Sequence, residues 1–335
     1  MKNFKQNWIL YLILGGLFIL VVSEIIEAVN TPSKQVPIVI AEDWTAPSLY
    51  RDHTLKGEER DLVIYGEELI TNTSRYLGPN GSVAHVTNGM NCQNCHLNAG
   101  KKIWGNNYGA VASNYPKFRD RSGSIETVYK RVSDCMERSL NGSALDSNSH
   151  EMKAMIAYIK WVGANVPKDS IPKGTGIAPP AYLNRAASPE KGLLVYNAKC
   201  QSCHGANGEG VLAADQKSYT YPPLWGANSY NNGAGLFRLS RFAGYVRDNM
   251  PYNLSSHESP ALTDEECWDV AAFVNSRPRP SKDLSSDWPN ISKKPIDHPF
   301  GPYTDGFSET EHKFGPFKPI IEARKKQQES KNKKI

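Results

Sequence analysis

Two short cysteine patterns constrain this chain more than any other feature of its sequence. Each pattern has two cysteines separated by two residues and followed directly by a histidine: Cys92-Gln93-Asn94-Cys95-His96 and Cys200-Gln201-Ser202-Cys203-His204. On one helical turn, two thiols at this spacing can reach the two vinyl groups of one porphyrin, and the adjacent histidine then points at the iron. The sequence therefore predicts two covalently bound haem c groups, with these four cysteines as attachment sites and the two histidines as axial ligands.

Two other uses of paired cysteines are alternatives. A zinc site built from all four thiols would leave both histidines without a role. A redox-active disulfide within each pair would call for thioredoxin-like βαβ patterning, which the sequence lacks. Of the two remaining cysteines, Cys267 sits beside Trp268 in a helical pattern and is interpreted as a core residue.

The surroundings of the two motifs repeat along the chain. Helical patterns precede the motifs at 57–76 and 189–198, and amphipathic helical patterns follow them at about 148–162 and 263–275. Helix, haem motif, loop, distal ligand and closing helix is the order of a class I cytochrome c, and no segment has a convincing strand pattern. We therefore predict a mainly α fold of two consecutive class I cytochrome c-like domains.

The closing helices have recognisable ends. The second one begins with Thr263 followed three residues later by Glu266, which is the pattern of a capping box. A proline follows each closing helix, at Pro167 and Pro278, and proline cannot continue a helix. These signals support the predicted ends of both domains.

The domain organisation predicted from these patterns has five parts. They are a signal peptide or membrane anchor at 1–28, an N-terminal cytochrome domain at 29–170, a proline-rich linker at 171–182, a C-terminal cytochrome domain at 183–285, and an irregular extension with a basic tail at 286–335. The net charge of +5 is mild and comes partly from lysines of the tail, which we interpret as a solvated end. We expect no nucleic-acid partner.

The apolar N-terminal run extends from Trp8 to Val22 and follows two lysines. It is long for the core of a signal peptide and short for a full membrane span. Glu24 and Glu27 make the candidate cleavage sites imperfect, so a retained anchor in the inner membrane is the alternative. Both interpretations predict an exported, periplasmic protein, and export agrees with haem c, which is attached outside the cytoplasm.

Each haem iron has a second axial position, and the second domain offers Met250 for it. In class I cytochromes the methionine of a Met-Pro dipeptide usually supplies the thioether ligand. Here that dipeptide is Met250-Pro251, and no other methionine follows residue 155. A His204/Met250 haem would have a raised reduction potential. The loop Pro222-Pro223-Leu224 resembles the one whose carbonyl holds the proximal histidine in such domains.

The first domain has no Met-Pro dipeptide, and the corresponding position is Cys135. Met136, Met152 and Met155 are rival ligands, although the last two fit the core of the closing helix. A thiolate stabilises ferric iron, so a His96/Cys135 haem would have a low potential. The thiolate is also a nucleophile toward sulfur compounds. The alternative is that Cys135 is a buried free thiol.

Arginines surround Cys135 in the sequence, at Arg119, Arg121, Arg131 and Arg138. Guanidinium groups bind oxyanions such as sulfonate or phosphate through forked pairs of hydrogen bonds. A solvated charged face is the alternative interpretation of any one of them. Their position near a haem motif and a thiol favours an anion-binding pocket.

The run from 111 to 142, following Cys92-Gln93-Asn94-Cys95-His96-Leu97, resembles the dihaem thiosulfate dehydrogenase family, whose members can also act as tetrathionate reductases. The resemblance covers roughly residues 58–280, and 88–142 is its most specific part. It implies an active-site haem with His/Cys ligation in the first domain and an electron-transfer haem in the second.

The resemblance also implies roles for individual residues. Arg121, Arg131 and Ser139 match the positions that hold the substrate sulfonates, and Cys135 matches the haem ligand that can become a transient covalent partner of the substrate. Some members of the family carry a lysine beside the methionine as an alternative ligand. Here that position is Asn249, so a plain His/Met haem is expected.

The reaction implied by the resemblance is the interconversion of two thiosulfate ions with one tetrathionate and two electrons. The electrons would pass through the second haem to or from a soluble c-type cytochrome or a membrane electron carrier. Three alternatives remain: a dihaem electron carrier without a substrate, another sulfur-oxidising cytochrome with a Cys-ligated haem that works with a carrier protein, and a peroxidase-like dihaem enzyme.

Overall fold

The computed structural model describes residues 38–332 and, ahead of them, Gly16. Residues 38–332 belong to one compact unit that is mainly helical. Its helices are α1 (Gly57–Thr71), α2 (Thr73–Leu77), α3 (Leu97–Gly100), α4 (Val111–Asn114), α5 (Val128–Arg138), α6 (His150–Val162), α7 (Pro189–Lys199), α8 (Gln201–His204), α9 (Leu239–Asn249), α10 (Asp264–Ser276), α11 (Glu309–Phe314) and α12 (Phe317–Asn332).

The predicted signal peptide or anchor at 1–28 lies outside the described residues, apart from Gly16. Among the helices that are described, none is both long enough and apolar enough to span a bilayer.

The sequence has no convincing strand pattern, but the structure contains short strands. The described strands are β1 (Ile38–Asp43), β2 (Lys117–Arg119), β3 (Ser124–Glu126), β4 (Ser170–Lys173), β5 (Val211–Leu212) and β6 (Tyr219–Tyr221). They form three two-stranded sheets: β1 pairs in parallel with β4, while β2 with β3 and β5 with β6 are antiparallel hairpins. Runs of two to six residues are too short for a period-two pattern to stand out in a sequence. β4 also places ordered backbone in the predicted linker.

The first core forms where α1 crosses α6. Gly66 lies at the crossing, where a Cβ atom would stand only 2.1 Å from the carbonyl oxygen of Ala154. The absence of a side chain therefore lets the two helix backbones come into close contact. Buried side chains of both helices, including Leu69, Met155 and Tyr158, fill the core around this point.

The second core repeats this construction with α7 and α10. Gly192 lies at the crossing, where a Cβ atom would stand 1.9 Å from the carbonyl oxygen of Asp269. The predicted capping box at the start of α10 is confirmed, because Thr263 Oγ1 accepts a hydrogen bond from the Glu266 backbone N–H and a Glu266 carboxylate oxygen accepts one from the Thr263 N–H. Cys267 is fully buried on α10, as predicted for a core residue.

The segment after residue 285 is more ordered than the predicted irregular extension. It contains α11 and α12, and the side chains of Phe317 and Ile320 on α12 are buried in the second core. The first core also receives side chains from outside the first predicted domain. Tyr230, from the second half of the chain, and Phe300 pack against it. The mainly α architecture is confirmed, while the exact domain boundaries stay a prediction.

Candidate functional site

A cavity of about 260 Å³ opens beside the first cysteine pattern. His96 and Cys95 lie at one side of it, and Cys135 is brought to it by α5. Thr127 caps the start of α5, since its side chain accepts a hydrogen bond from the Lys130 backbone N–H. The structure therefore brings together the motif and the cysteine that the sequence proposed as its distal partner.

The His96 ring is oriented by the backbone. Its Nδ1 atom lies 2.5 Å from the carbonyl oxygen of Asn106, which fixes the proton on Nδ1 and leaves Nε2 free to bind a metal. The His96 ring also lies close enough to Cys135 to favour the charged form of its thiol. Imidazole and thiol thus line the same cavity. Asn106 carries no sequence motif, so the sequence did not identify it.

Arg131 activates the Cys135 thiol. The two residues are four positions apart on α5, and the Arg131 Nη1 atom donates a hydrogen bond to Cys135 Sγ at 3.0 Å. Burial by itself raises the pKa of the thiol, but the charge of Arg131 and the contact with His96 outweigh burial and lower the pKa to about 6. Cys135 is therefore a thiolate at neutral pH.

The other predicted anion-binding residues divide into two groups. Arg119, Arg121 and Ser139 line the cavity with Arg131. Arg121 is also held by an ion pair with the buried carboxylate of Asp134. Arg138 lies outside the lining of the cavity, because it forms a two-pronged ion pair with Asp287 at 2.7 and 2.8 Å.

The rival ligands of the first site are core residues. Met136, Met152 and Met155 are each at most 1% exposed and belong to the first core. None of them lines the cavity, whereas Cys135 does. Its position in the cavity wall therefore favours Cys135 over the three methionines as the second axial ligand.

Part of the cavity wall comes from distant segments. Arg238 and Arg241, one helical turn apart at the start of α9, line it together with Trp288 and His298 from the segment after residue 285. Burial lowers the pKa of His298 to about 4, so its imidazole is neutral at neutral pH. None of these four residues was predicted from the sequence. The two arginines spaced by three on one helix were a usable signal, but the tryptophan and histidine carry none.

A second cavity of about 600 Å³ lies beside the second cysteine pattern. Cys200, Cys203 and His204 line one part of it, and Met250 lines another. The His204 Nδ1 atom lies 2.9 Å from the carbonyl oxygen of Pro222, which confirms the predicted role of that loop. The imidazole and the thioether therefore share one cavity.

Asn249, next to Met250, is hydrogen-bonded through one half of its amide group. It is fully buried, and its Nδ2 atom donates hydrogen bonds to the carbonyl oxygens of Trp104 and Tyr245. The contact with Trp104 joins the second half of the chain to the first. The Oδ1 atom of the same amide is buried without a hydrogen-bond partner among the described residues.

The two cavities adjoin each other. Cys95 lines both of them, and Asn94 of the first motif lines the second. The Tyr245 hydroxyl donates a hydrogen bond to the Asn94 carbonyl oxygen at 3.0 Å, which ties α9 to the first motif. Groups bound in the two cavities would therefore be neighbours.

The residues present fit haem c at both sites. Each site offers two free thiols beside a cavity, a histidine with one ring nitrogen fixed by a backbone carbonyl, and a sulfur side chain from another helix end. Burial raises the pKa of Cys92 to about 11 and that of Cys95 and Cys200 to about 12, so these thiols are protonated and uncharged. In haem c the four motif sulfurs would be bonded to the porphyrins as thioethers, and His96, Cys135, His204 and Met250 would be the axial ligands.

Comparison with protein families agrees with this arrangement. Residues 82–167 match the family described as "SoxA/TsdA, cytochrome c domain", and residues 189–278 match the family described as "Cytochrome c". Each match contains one of the two cysteine patterns. The chain therefore has two consecutive cytochrome c domains, as predicted, and carries two covalently bound haem c groups.

Comparison with individual proteins indicates which family of cytochromes the chain resembles. The chain is 39% identical to a thiosulfate dehydrogenase of Allochromatium vinosum, over 73% of this chain and 86% of that protein. It is 36% identical to a thiosulfate dehydrogenase of Psychrobacter arcticus, over 62% of each chain. Among solved structures, a thiosulfate dehydrogenase (TsdBA) from Marichromatium purpuratum is similar, with a TM-score of 0.64 and 29% identity over 75% of this chain and 51% of that one.

These matches include one relative that is covered over most of its length, and each of the two family matches contains one cysteine pattern. The predicted family is thereby confirmed, and the chain belongs to the thiosulfate dehydrogenase family of dihaem c-type cytochromes.

Proposed function

We propose that this protein interconverts thiosulfate and tetrathionate at the first cavity. The observation that carries the proposal is the Cys135 thiolate, which faces His96 and receives a hydrogen bond from Arg131 in a cavity lined by further arginines. A nucleophilic sulfur beside anion-binding guanidinium groups suits a substrate that is both a sulfur compound and an oxyanion.

The negative charge of the proposed substrate explains why arginines line the cavity. Two thiosulfate dianions must meet in one cavity, and unit charges about 4 Å apart repel by about 4 kcal/mol at an effective dielectric constant of about 20. Arg121 and Arg131 would offset this repulsion, and the Ser139 hydroxyl would donate a hydrogen bond to a sulfonate oxygen.

The proposed chemistry keeps one half of the product on the protein. The Cys135 thiolate joins the outer sulfur of one thiosulfate, with loss of two electrons to an external acceptor, and gives a protein-bound Cys–S–S–SO₃⁻ group. The outer sulfur of a second thiosulfate then attacks the middle sulfur, forms tetrathionate and releases the Cys135 thiolate. Atoms and charge balance as two thiosulfates giving one tetrathionate and two electrons, and the reverse sequence reduces tetrathionate.

The haem groups, when bound, would take up these electrons one each and pass them on. The protein contributes the proximity of the two sites, through the Cys95 residue that lines both cavities and the hydrogen bond between Tyr245 and Asn94. The favoured direction follows from the potential of the external partner.

The partner is proposed to be a soluble c-type cytochrome or a membrane electron carrier. Since haem c is attached outside the cytoplasm, the protein works in the periplasm. We further propose that the apolar segment within residues 1–28 directs export and, if retained, tethers the protein to the inner membrane.

An assay of the haem-loaded protein in both directions tests the proposal. Thiosulfate with ferricyanide measures oxidation, and tetrathionate with a reduced viologen measures reduction. The Cys135→Gly variant is expected to lose at least 100-fold in turnover in both directions, because the nucleophile is gone. The Cys267→Ala variant is the matched control, since Cys267 is buried in the second core outside both cavities.

The outcomes separate the alternatives. Wild-type turnover that survives in Cys267→Ala and disappears in Cys135→Gly, with both haems attached, supports the proposal. An absence of wild-type turnover with normal haem spectra contradicts it and favours an electron carrier, or an enzyme whose substrate is bound to a carrier protein.

A further inference from the structure

The cationic groups of the first cavity differ in whether they already have an anionic partner. Arg131 faces the Cys135 thiolate, and Arg121 is paired with Asp134. Arg119 lies 3.7 Å from the buried carboxylate of Glu126. Three of the five arginines that line the cavity are thus already in contact with an anionic group of the first domain.

The other two arginines come from α9 and differ from each other. Arg238 donates two hydrogen bonds to Oδ1 of Asp297, at 2.8 and 2.6 Å. The other oxygen of Asp297 accepts hydrogen bonds from the backbone N–H and the hydroxyl of Ser240. The Asp297 carboxylate is therefore fully engaged, and no oxygen is left for the neighbouring Arg241.

Arg241 is the one arginine of these five that has no directly paired anionic group among the described residues. Its hydrogen bond within residues 38–332 is a long one, 3.4 Å from Nη1 to the carbonyl oxygen of Ile177, and no described carboxylate lies within ion-pair distance. The charges of Arg238 and Arg119 repel it, and the Asp297 carboxylate attracts it only from beyond ion-pair distance. The side chain is exposed, so it can reach an incoming anion at the edge of the cavity.

The substrate has the complementary feature. Tetrathionate carries a sulfonate at each end of a chain of sulfur atoms, and two thiosulfates about to be joined present the same two sulfonates. If Arg121, Arg131 and Ser139 hold the sulfonate near Cys135, the other sulfonate still needs a positive partner farther along the cavity. A guanidinium with unused donors is suited to bind it in a two-pronged manner.

From this arrangement we infer that Arg241 binds the second sulfonate of the substrate pair, so that the substrate site extends from the first cytochrome domain onto helix α9 of the second. The inference rests on the proposed function and deepens it. Arg241 then acts in substrate binding and takes no part in the bond-forming step at Cys135.

The test compares a ligand with two sulfonates and a ligand with one. Tetrathionate and methanesulfonate are titrated calorimetrically into the oxidised, haem-loaded full chain carrying Cys135→Ala, which prevents covalent exchange. Adding Arg241→Gln is expected to weaken tetrathionate binding about tenfold, as loss of one charge-assisted hydrogen-bonding partner does at a partly exposed site. Binding of methanesulfonate is expected to change less than about twofold, and Arg241→Lys is expected to lie between wild type and Arg241→Gln for tetrathionate.

Lys191→Gln is the matched control, because it removes one positive charge from an exposed residue of α7 outside both cavities.

In the chain with Cys135 intact, Arg241→Gln is expected to raise KM for tetrathionate about tenfold with less than a threefold change in kcat. Circular dichroism and haem content check that each variant is folded and loaded.

Equal tetrathionate affinity with and without Arg241 overturns the inference and leaves the proposed function standing. Equal losses in Arg241→Gln and Lys191→Gln also overturn it, because they indicate a general field effect. A protein with Arg241 intact that neither binds nor turns over tetrathionate contradicts the proposed function, and the inference falls with it.

Discussion

The hydrogen bond between Arg131 and Cys135 shows how neighbouring positions on one helix can set up reactivity. Residues four apart on α5 meet on the same face, so the guanidinium reaches the sulfur without help from another segment. Because the pair is partly buried in the cavity wall, its electrostatic interaction is less screened than that of a surface ion pair would be. The thiolate and its activating cation are therefore one local unit of the chain.

We expect Arg131→Gln to lower kcat/KM for thiosulfate oxidation at least 100-fold, which corresponds to about 2.7 kcal/mol of transition-state stabilisation. The variant loses both the cation that stabilises the thiolate and a donor for the sulfonate. Steady-state kinetics with ferricyanide measures the effect, and Lys153→Gln, which removes a charge from an exposed residue of α6, provides the comparison. A loss below about fivefold would show that the thiolate does not depend on Arg131.

At the residue scale, short stretches of sequence pointed to groups that the structure brings together. These are the cysteine patterns, Cys135 in the same cavity as His96, and the Pro222 carbonyl beside His204, and the roles of these residues in the reaction stay a prediction. Asn106 and His298 were not predicted, because a backbone carbonyl and a lone histidine leave no pattern in a sequence. Their roles depend on tertiary contacts.

At the scale of helices, both domains contain the same kind of close helix crossing. The helix before each haem motif crosses the closing helix at a glycine, Gly66 in the first domain and Gly192 in the second. The crossing positions the motif that follows at the end of α7, so the approach of the two backbones also fixes where the thiols lie. The helices themselves were predictable from their periodicity, whereas the glycine contact could not be derived without knowing which helices cross.

Gly192→Val is expected to lower the free energy of unfolding of the second domain by about 3 kcal/mol or more, because the added side chain overlaps the backbone of α10. Urea unfolding followed by circular dichroism measures the change. The control is Leu194→Ala on the same helix, whose side chain is 69% exposed and should change stability by less than about 0.5 kcal/mol. Equal midpoints for Gly192→Val and wild type would mean that the crossing can widen at little cost.

At the scale of the whole molecule, the first cavity depends on contacts between distant parts of the chain. The Arg138–Asp287 ion pair joins α5 to the segment after residue 285, and the Asn231 side chain donates hydrogen bonds to the Glu137 carbonyl and to Asn141. The sequence predicted two separate units followed by an irregular tail. Side-chain pairing across nearly 150 positions has no local signature, which is why the shared wall of the cavity was not foreseen.

Asp287→Ala is expected to cost about 3–5 kcal/mol of stability, because it leaves the guanidinium of Arg138 buried without its partner. The double variant Arg138→Met with Asp287→Leu should be less destabilised than Asp287→Ala alone, since no charge then remains buried. Urea unfolding of Arg138→Met, of Asp287→Leu and of the double variant completes a double-mutant cycle that measures the coupling between the two side chains. Additive effects of the two single substitutions would show that the pair does not hold the segment in place.

The composite wall of the first cavity also sets an order in which its parts become available. Because a chain is made from its N-terminus, the first motif and Cys135 emerge well before Arg241, Trp288 and His298. Until those residues follow, the cavity beside the first motif lacks one part of its wall. A chain cut short before residue 287 would keep both cysteine patterns, but it would lack the part of the wall that Trp288 and His298 form and the side chains of α12 that are buried in the second core.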